Sequence, residues 1–598
     1  MCGLAFFASK KKISKKIILQ TLNAMKNRGP DSQCFYECKL EDLNLYFLFS
    51  RLSIIDLKNR SNQPYIKKNC ILLFNGEIYN YLEIKKYLQS KKIVFETNSD
   101  TEVLLESYKH WGDSFVNHLN GMWAFVLYNK ESKEIIVSRD RYSEKPLFYH
   151  QRTTNITFAS ETKYINILRP DSKKKNIKKI KENTQFGYKS LFLNNGSFFE
   201  DIKIFPSGGF VKIKLDNNFQ FKFKEKKTPF TKNSKTKETI RELLINSLKI
   251  RLRSDVPVAF SLSGGVDSNI LAGIASKILK KKIFAYSIID DDPRYNERKI
   301  IDYVVKKNNY SHSYINISKF DHFLELKRVT RYFNAPVPTI NFLVQNYLMK
   351  KVQKDKKKVL ISGIGADEIF TGYYHHFNFY FNNNKNNRLY QNNYTNWTKY
   401  IKPNIRNDNF KKITKLDKSM YMHSNNNYIL KHPFSKFPYS DFNFSRDQVK
   451  NRLMNELYYE TVPVMTYSED LNSMMHSVEN RNPYLDNKLI DNIGSINSKH
   501  YIQKGFTKFL LRTSFQDLGL NKVINNYKKT GFNYSFRSLF PLEDKRILAF
   551  VKKKSSIYDF LRKDEIVSLL QKENLTDEEN KLAFGILTTK VFLDSKYF

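Results

Sequence analysis

Short apolar runs alternate with polar turns over the first part of the chain. The runs at residues 45–49, 71–74, 124–127 and 135–137 have the length of strands and are rich in aliphatic and aromatic residues. Such alternation predicts a layered α/β fold built around antiparallel sheets. We expect this domain to span residues 1–215.

The pattern changes in the middle of the chain. Residues 216–235 are polar and predict a linker. Beyond them, two apolar strands at 256–260 and 283–289 flank residues 270–279, whose apolar positions recur at three- and four-residue steps, as in a helix packed on a sheet. Strand, loop, helix and strand in this order predict a parallel, doubly wound α/β domain over residues 236–598.

The loop before this helix reads S-L-S-G-G-V-D-S over residues 261–268. Backbone N–H groups at such a helix N-terminus can hold a phosphate. The loop lacks the Gly-Lys-Ser/Thr ending of a Walker A sequence, and Asp267 stands where the lysine would be. An aspartate beside phosphates needs a divalent cation between them, so the loop predicts Mg²⁺-nucleotide. A Gly-Gly turn after a strand is by itself more often only a tight turn.

A second Gly-rich loop supports the interpretation of the first loop as a nucleotide-binding site. The strand-like residues 359–361 lead into S-G-I-G-A-D-E at residues 362–368, and open α/β sheets bind ligands at the carboxyl ends of their strands. We therefore expect Asp367 to share one Mg²⁺ with Asp267. The alternative is that the glycines only end a strand while the acids cap the next helix.

The first residues, Met1-Cys2-Gly3, suggest a nucleophile. A small second residue favours removal of the initiator methionine, which leaves Cys2 with a free α-amine beside its thiol. An amine with an ordinary pKa of about 8 can act as general base for a nucleophilic thiol. Taken alone, Cys2 is more often an ordinary small hydrophobic residue.

Four further motifs follow Cys2. They are R-G-P-D at residues 28–31, R-L-S-I-I-D at 51–56, F-N-G-E-I-Y-N at 74–80 and S-D-T-E at 99–102. In this order and spacing they closely resemble the class II, N-terminal-nucleophile (Ntn) glutamine amidotransferases. Together with the two Gly-rich loops they resemble the family of glutamine-hydrolysing asparagine synthetases, over nearly the whole chain. The resemblance implies an Ntn-hydrolase-like αββα glutaminase domain followed by an ATP pyrophosphatase domain.

The resemblance also implies the catalytic residues. Cys2 would be the nucleophile that forms a glutamyl thioester, and Asn75 with the Gly76 N–H would form the oxyanion hole. In the second domain, Lys529 in K-K-T-G-F at residues 528–532 aligns with the family lysine that contacts the polyphosphate and the acyl-adenylate. Without the resemblance, Asn75-Gly76 would be interpreted as a hairpin turn.

Binding residues follow from the same resemblance. Arg51 would hold the glutamine carboxylate through two hydrogen bonds, and Asp100 with Glu77 would hold its α-ammonium. An arginine on a strand is equally compatible with a surface ion pair. The implied ATP-binding residues are Leu262, Ser263, Gly264, Gly265, Asp267, Ser268, Ile288, Ser362 and Gly363, and the implied Mg²⁺ ligands are Asp267 and Asp367.

The implied reaction joins two chemistries. Glutamine would give ammonia at Cys2, and ATP·Mg²⁺ would adenylate a carboxylate in the second domain. Ammonia would then pass through an internal channel to give the amide, AMP and pyrophosphate. The small-molecule substrates are therefore glutamine, ATP and a carboxylate, for which aspartate is favoured.

Three positions depart from the family pattern, all in the second domain. Ile364 stands where asparagine synthetases commonly carry an acid, Leu471 where they carry Arg or Lys, and Tyr527 where they carry Arg. None of the three can hold a carboxylate or phosphate by charge. A second acceptor class therefore stays open, such as a sugar uronate in surface polysaccharide synthesis. The β-lactam branch, which cyclises its own substrate, is less favoured because it does not depend on an intact glutaminase.

The amino-acid composition is compatible with a second class of protein. The chain of 598 residues carries 101 Lys and Arg against 59 Asp and Glu, a formal charge of +42, as expected of a nucleic-acid-binding protein. The excess is spread over both domains, however, and accompanies abundant Asn, Ile, Tyr and Phe, which is typical of an AT-rich genome. We therefore interpret it as solvated surface.

The four cysteines, Cys2, Cys34, Cys38 and Cys70, all lie in the first domain. Their spacing indicates neither a zinc site nor a disulfide framework. No long apolar run is present, so we expect a soluble, cytoplasmic protein. The sequence leaves open the oligomeric state, for which a homodimer is one option, and the role of residues 377–444.

Overall fold

The computed structural model describes residues 2–192, 194–215, 219, 221, 223, 238–290, 296–385, 388–405, 408–413, 427–434, 440–527 and 534–595. Most of the predicted linker 216–235, and the motif that contains Lys529, lie outside these ranges. Among the described residues, no helix combines the length and the apolar character needed to cross a membrane.

The N-terminal part of the chain forms two antiparallel sheets. Its strands are β1 (Gly3–Ser9), β2 (Ser32–Leu40), β3 (Leu43–Arg51), β4 (Tyr65–Lys67), β5 (Cys70–Ile78), β6 (Gly121–Asn129), β7 (Glu134–Arg139), β8 (Phe148–Arg152), β9 (Asn155–Ala159), β10 (Lys203–Ile204) and β11 (Phe210–Lys214). The first sheet has the order β10-β8-β9-β1-β3-β2, and the second has the order β11-β7-β6-β5-β4.

Alternation along β1 shows how these sheets stack. Leu4 and Phe6 pack against Leu73 of the second sheet in an apolar core between the two. Phe7, on the opposite face of β1, packs with Ile18 of a covering helix, and further helices cover the far face of the second sheet. The predicted αββα sandwich is confirmed.

The second half of the chain forms a parallel sheet. Its strands are β12 (Val258–Ser261), β13 (Phe284–Ile289), β14 (Ser311–Asn316), β15 (Val359–Ile361) and β16 (Glu479–Arg481). They are parallel to their neighbours in the order β14-β13-β12-β15-β16. Ala259 packs into the core on one face and Phe260 into the core on the other, so this sheet is covered on both sides. The predicted doubly wound domain is confirmed.

Helices supply the covering layers of both domains. The α-helices among the described residues are Lys15–Met25, Tyr81–Ser90, Asp100–Trp111, Thr162–Leu168, Ile177–Phe186, Ile240–Arg251, Val266–Gly273, Arg298–Asn308, His322–Phe333, Ile340–Lys354, Ala366–Phe370, Tyr374–Asn383, Tyr390–Asn396, Gln448–Asn455, Val462–Met475, Asn487–Ser495, Phe509–Ser514, Asn521–Ile524, Phe536–Leu539, Lys545–Lys552, Lys563–Gln571 and Asp577–Asp594. Gly265 is the N-cap of Val266–Gly273, which places the end of the first Gly-rich loop at a helix N-terminus, as predicted.

Residues 377–444 contribute to the core of the second domain. The side chains of Phe377, Phe381 and Trp397 are buried and contact one another, with ring centroids 5.7 to 6.4 Å apart. The described part of this stretch is therefore more than variable surface.

Candidate active sites

Cys2 immediately precedes strand β1 and is buried, with 8% of its surface exposed. Its N–H donates to Asn75 Oδ1 at 2.9 Å, and its Sγ lies 4.0 Å from the carbonyl oxygen of Leu52. Burial raises the pKa of the Cys2 thiol, while the charge of Arg51 acts against the rise. Such a thiol needs a neighbouring base to become a nucleophile.

Strand β5 contains the predicted oxyanion hole. Asn75 is buried and its Oδ1 accepts the Cys2 N–H, whereas its Nδ2 has no hydrogen-bond partner among the described residues. The next residue, Gly76, has no room for a side chain, since a Cβ would lie 2.1 Å from the carbonyl oxygen of Met122. A buried donor left unpaired close to a thiol is available to an oxyanion.

Arg51 is buried and surrounded by carbonyl groups. Its guanidinium donates to the backbone oxygens of Lys58 at 3.0 Å, Ile55 at 3.2 Å and Asp56 at 2.5 Å, and to Asn62 Oδ1 at 2.9 Å. Within the described ranges, no carboxylate forms an ion pair with it. The surface ion pair considered above is therefore wrong, and binding of a substrate carboxylate stays a prediction.

Two buried carboxyl groups, Asp100 and Glu77, lie near a third, that of Glu479. Asp100 Oδ2 accepts the Ile78 N–H at 2.9 Å, and burial raises the pKa of Asp100 to about 6. Burial and the charge of Glu479 raise the pKa of Glu77 well above its ordinary range, although Arg481 lies 3.5 Å away. A substrate ammonium would favour the ionised forms of these carboxyl groups. Glu479 and Arg481 belong to β16, so the second domain contributes to this cluster.

The loop at residues 261–268, here termed the phosphate loop, already holds an anion. The Gly264 N–H donates to Glu297 Oε2 at 2.9 Å. Ser268 Oγ accepts the Ser263 N–H at 3.1 Å and orders the turn. The loop thus binds a carboxylate with the backbone groups that are predicted to bind phosphate.

Asp267 and Asp367 converge on one cation. The Nζ of Lys508 lies 2.6 Å from Asp267 Oδ2 and 2.6 Å from Asp367 Oδ1. Burial acts against the charged form of Lys508, but the two carboxylates raise its pKa above the ordinary range. Gly372 makes room for this arrangement, since a Cβ there would lie 1.6 Å from Asp367 Oδ1. Two carboxylates that meet at one positive charge beside a phosphate loop form a donor set that fits Mg²⁺.

The remaining predicted ATP-binding residues lie at the same edge of the parallel sheet. Leu262 follows β12, Ile288 lies near the end of β13, and Ser362 and Gly363 follow β15. A Cβ at Gly363 would lie 3.2 Å from Asp267 Cβ, so the two Gly-rich loops approach closely. The structure therefore brings these residues together at the carboxyl ends of the strands.

The three departures have packing roles. Leu471 is 1% exposed and lies in the hydrophobic core. Ile364 packs at the margin of the core on the other face of the sheet. Tyr527 stacks on Phe506 and Tyr400, with ring centroids 3.8 and 4.5 Å apart.

Arg28 connects Cys2 to the second domain. Its Nε donates to the Cys2 carbonyl oxygen at 2.9 Å, and its Nη1 and Nη2 donate to the two carboxylate oxygens of Asp470 at 2.6 and 3.2 Å. Nη1 also donates to Glu161 Oε1 at 3.1 Å. All three charged side chains are buried, so this network lies inside the domain interface.

Sequence reasoning missed Lys508 and Glu297. Lys508 is one of many basic residues, so its type carries little information. Glu297 precedes the helix Arg298–Asn308 and is typical of an ordinary helix start. Only the fold brings each of them to a Gly-rich loop.

A buried cluster of His375, His376 and Glu456 has the composition of a metal site. The Nε2 atoms of His375 and His376 lie 2.7 and 2.8 Å from the Glu456 carboxylate. His376 Nδ1 accepts the Tyr373 N–H at 3.2 Å, so its Nε2 carries the hydrogen and donates to Glu456. A metal-ligating histidine donates from its other nitrogen instead. We interpret the cluster as a hydrogen-bonded group.

Comparison with known proteins identifies two family domains in the chain. The family described as "Glutamine amidotransferase domain" matches residues 1–224, and the family described as "Asparagine synthase" matches residues 239–590. The chain is 27% identical to asparagine synthetase 1 (glutamine-hydrolyzing) of Bacillus subtilis, over 96% of this chain and 93% of that protein. It is 28% identical to amidase chry2 of Gibberella zeae, over 62% of this chain and 59% of that protein.

Among solved structures, a glutamine phosphoribosylpyrophosphate amidotransferase from B. subtilis is similar to 52% of this chain and 81% of its own, with 16% identity and a TM-score of 0.26. The asparagine synthase match covers more than half of the chain. The chain therefore belongs to the asparagine synthase family and is a glutamine-hydrolysing, ATP-using ligase that forms amides.

Proposed function

We propose that the protein transfers the amide nitrogen of glutamine to aspartate and cleaves ATP to AMP and pyrophosphate. The observation that carries the proposal is the convergence of Asp267 and Asp367 on one cation at the phosphate loop, in a domain separate from the thiol of Cys2. The name of the B. subtilis relative, matched over nearly its whole length, supports aspartate as acceptor.

In the glutaminase domain, the Cys2 thiol attacks the glutamine carboxamide. The α-amine of Cys2, once Met1 is removed, takes the thiol proton and later passes it to the departing ammonia. Asn75 Nδ2 and the Gly76 N–H bind the oxygen that becomes negative. Arg51 fixes the α-carboxylate, so that the carboxamide faces the thiol.

Recognition of the glutamine α-ammonium falls to Glu77 and Asp100. Both carboxyl groups are buried, and burial with the charge of Glu479 raises the pKa of Glu77, so a nearby ammonium would favour its ionised form. An ammonium therefore gains a strong partner there, whereas a ligand without one does not. This accounts for selection of an amino acid over a simple amide.

In the synthetase domain, the phosphate loop and Lys508 bind the ATP phosphates. Asp267 and Asp367 would hold Mg²⁺, which neutralises phosphate charge and activates the phosphoryl group when bound. Lys529 stays in its proposed role as a contact of the acyl-adenylate. The acceptor carboxylate attacks the α-phosphorus, pyrophosphate leaves, and ammonia then displaces AMP.

A sugar uronate is the second candidate acceptor. The observation that favours it is Ile364, which offers no acid to an amino-acid ammonium at the second Gly-rich loop. Aspartate brings such an ammonium, whereas a uronate brings hydroxyl groups.

The deciding experiment is a screen of carboxylic acids for AMP and pyrophosphate formation with glutamine, ATP and Mg²⁺. We expect aspartate to give asparagine, AMP and pyrophosphate in equal amounts. If a uronic acid gives product and aspartate gives none, the acceptor is a uronate and not aspartate. In that case Ile364→Glu alone should not restore aspartate use.

A further inference from the structure

The backbone of Cys2 is held at both of its ends. Its N–H donates to Asn75 Oδ1 at 2.9 Å, and its carbonyl oxygen accepts a hydrogen bond from Arg28 Nε at 2.9 Å. In the proposed reaction Met1 is removed, so a single peptide bond, to Gly3, would join Cys2 to the chain. Rotation about the Cα–C bond of Cys2 would then swing the α-amine and the thiol together. The two hydrogen bonds oppose this rotation.

The orientation of Arg28 depends on the second domain. Its Nη1 and Nη2 donate to Asp470 Oδ2 at 2.6 Å and Oδ1 at 3.2 Å, and two such bonds fix the plane of a guanidinium. Asp470 lies on the helix Val462–Met475, whereas Arg28 lies between the helix Lys15–Met25 and β2 of the first domain. Both side chains are buried, which strengthens their attraction. A carboxylate of one domain therefore orients the side chain that holds Cys2 in the other.

The neighbouring charges leave Asp470 as the main determinant of this orientation. Glu161 accepts from Nη1 of Arg28 at 3.1 Å, but its other oxygen lies 2.5 Å from Lys163 Nζ, so this carboxylate is shared with another cation. Lys145 Nζ lies 3.8 Å from Asp470, which is too far for a hydrogen bond. Arg28 is thus the hydrogen-bonded cation of Asp470, and Asp470 contacts both terminal nitrogens of Arg28.

We propose that Asp470 is a positioning residue for glutamine hydrolysis, which acts through Arg28 to hold the Cys2 backbone in the orientation that directs the thiol at the glutamine carboxamide. The inference rests on the proposed role of Cys2 as nucleophile. Asp470 is not one of the proposed glutamine-binding residues, so its loss should slow the reaction of bound glutamine without weakening binding. A displacement of the reacting groups by about 1 Å is enough to lower a rate about 100-fold.

The test measures the steady-state kinetics of glutamine hydrolysis in Asp470→Asn. This variant keeps the size of the side chain but removes its charge and one acceptor oxygen. We expect kcat to fall about tenfold or more, while KM for glutamine stays within about twofold of the parental value. AMP formation from ATP, ammonium chloride and the acid identified in the screen should stay near the parental rate, which also shows that the variant is folded.

Asp486→Asn is the matched control. Asp486 is also a buried aspartate of the second domain, and its Oδ2 lies 3.1 Å from Arg251 Nη1. The same oxygen accepts a hydrogen bond from Asn120 Nδ2 of the first domain at 2.9 Å. The control therefore removes a buried ion pair at the same interface without touching Arg28, and its kcat for glutamine should stay near the parental value.

A double variant separates positioning from stability. Arg28→Met combined with Asp470→Leu removes both members of the buried pair, so it should be more stable than Arg28→Met alone. It also lacks the hydrogen bond to the Cys2 carbonyl oxygen. Its kcat for glutamine should therefore stay as low as that of Arg28→Met, although stability is regained.

Four results would overturn the proposal. They are a parental kcat in Asp470→Asn, a loss that appears in KM alone, an equal fall of kcat in Asp486→Asn, and hydrolysis that recovers together with stability in the double variant. Failure of the proposed function gives different results. Parental glutamine hydrolysis by Cys2→Ala would overturn the role of Cys2, and a screen without product would overturn the proposed synthesis while glutamine hydrolysis stays measurable.

Discussion

The guanidinium of Arg28 donates two hydrogen bonds to the carboxylate of Asp470, at 2.6 and 3.2 Å, across the interface of the two domains. Both side chains are buried. Glu161 adds a second carboxylate to the same guanidinium. Removal of one partner from a buried ion pair leaves an uncompensated charge, so this contact is a sensitive point of the interface.

Arg28→Met should destabilise the protein strongly. The variant leaves the buried Asp470 without its hydrogen-bonded cation, since Lys145 Nζ is 3.8 Å away, and such losses are about 3–5 kcal/mol. Glu161 keeps Lys163, whose Nζ lies 2.5 Å from its Oε2. Urea or thermal unfolding measures the change. The matched control is Arg152→Met, which removes an exposed arginine paired with Asp171 and Asp201 and should change stability by about 0–1 kcal/mol.

Equal stability losses in these two variants would show that the buried network contributes no more than a surface pair. Arg28→Met combined with Asp470→Leu should recover part of the loss, because it removes the carboxylate that has lost its hydrogen-bonded partner.

Cys2→Ala should abolish glutamine use and leave synthesis from ammonium chloride. The thiol and the phosphate loop lie in separate domains and carry out separate reactions. Glutamate release and AMP formation measure the two. Cys70→Ala, which changes another buried cysteine of the same domain, should keep both activities. Parental glutamine hydrolysis by Cys2→Ala would show that the nucleophile lies elsewhere.

Asp267→Asn and Asp367→Asn should each remove pyrophosphate release and spare glutamine hydrolysis. A neutral amide is a poor Mg²⁺ ligand and also loses its ion pair with Lys508. Asp517→Asn is the control, because Asp517 is an exposed partner of Arg241. Synthesis at the parental rate in either variant would show that the substituted aspartate is not a Mg²⁺ ligand.

Glutamine binding should weaken below pH 6. Burial raises the pKa of Asp100 to about 6, so the free pocket holds this group protonated at lower pH and ionised above. The glutamine ammonium requires the ionised form, and its dissociation constant should rise about tenfold for each pH unit below the pKa. Calorimetry on Cys2→Ala measures this without turnover. Asp100→Asn should bind weakly at every pH, and a parental pH profile in that variant would contradict the assignment.

The same pKa has a consequence for stability. The folded protein binds a proton at Asp100 more readily than the unfolded chain, whose aspartates keep their ordinary pKa near 4. The unfavourable contribution of this group is therefore fully present above pH 6 and is relieved as the pH falls toward 4. Asp100→Asn should accordingly gain stability at neutral pH relative to the parent.

Local pattern was sufficient to predict much of the fold. The four apolar runs between residues 45 and 137 lie inside β3, β5, β6 and β7, because a strand that is buried on both faces needs a continuous run of apolar residues. The phosphate loop was equally accessible, since its glycines and Asp267 are neighbours in the sequence.

Contacts between distant residues could not be predicted in this way. Lys508 lies 241 positions from Asp267, and Asn482 lies 338 positions from Glu144. Lysine and asparagine are abundant in this chain, so neither residue type stands out, and their partners are determined only when the two domains pack together. The resemblance to a family does not help here, because its motifs include neither Lys508 nor Glu144.

The carboxylate of Glu297 at the Gly264 N–H has a consequence for the order of nucleotide exchange. The loop keeps its conformation around an internal anion, so ATP does not have to order it, but every ligand must first displace that anion. A polyphosphate that also binds Lys508 replaces this single contact by several. In the proposed reaction pyrophosphate departs and AMP keeps only its α-phosphate, so fewer phosphate groups compete with Glu297, and its return to the Gly264 N–H favours release of the products.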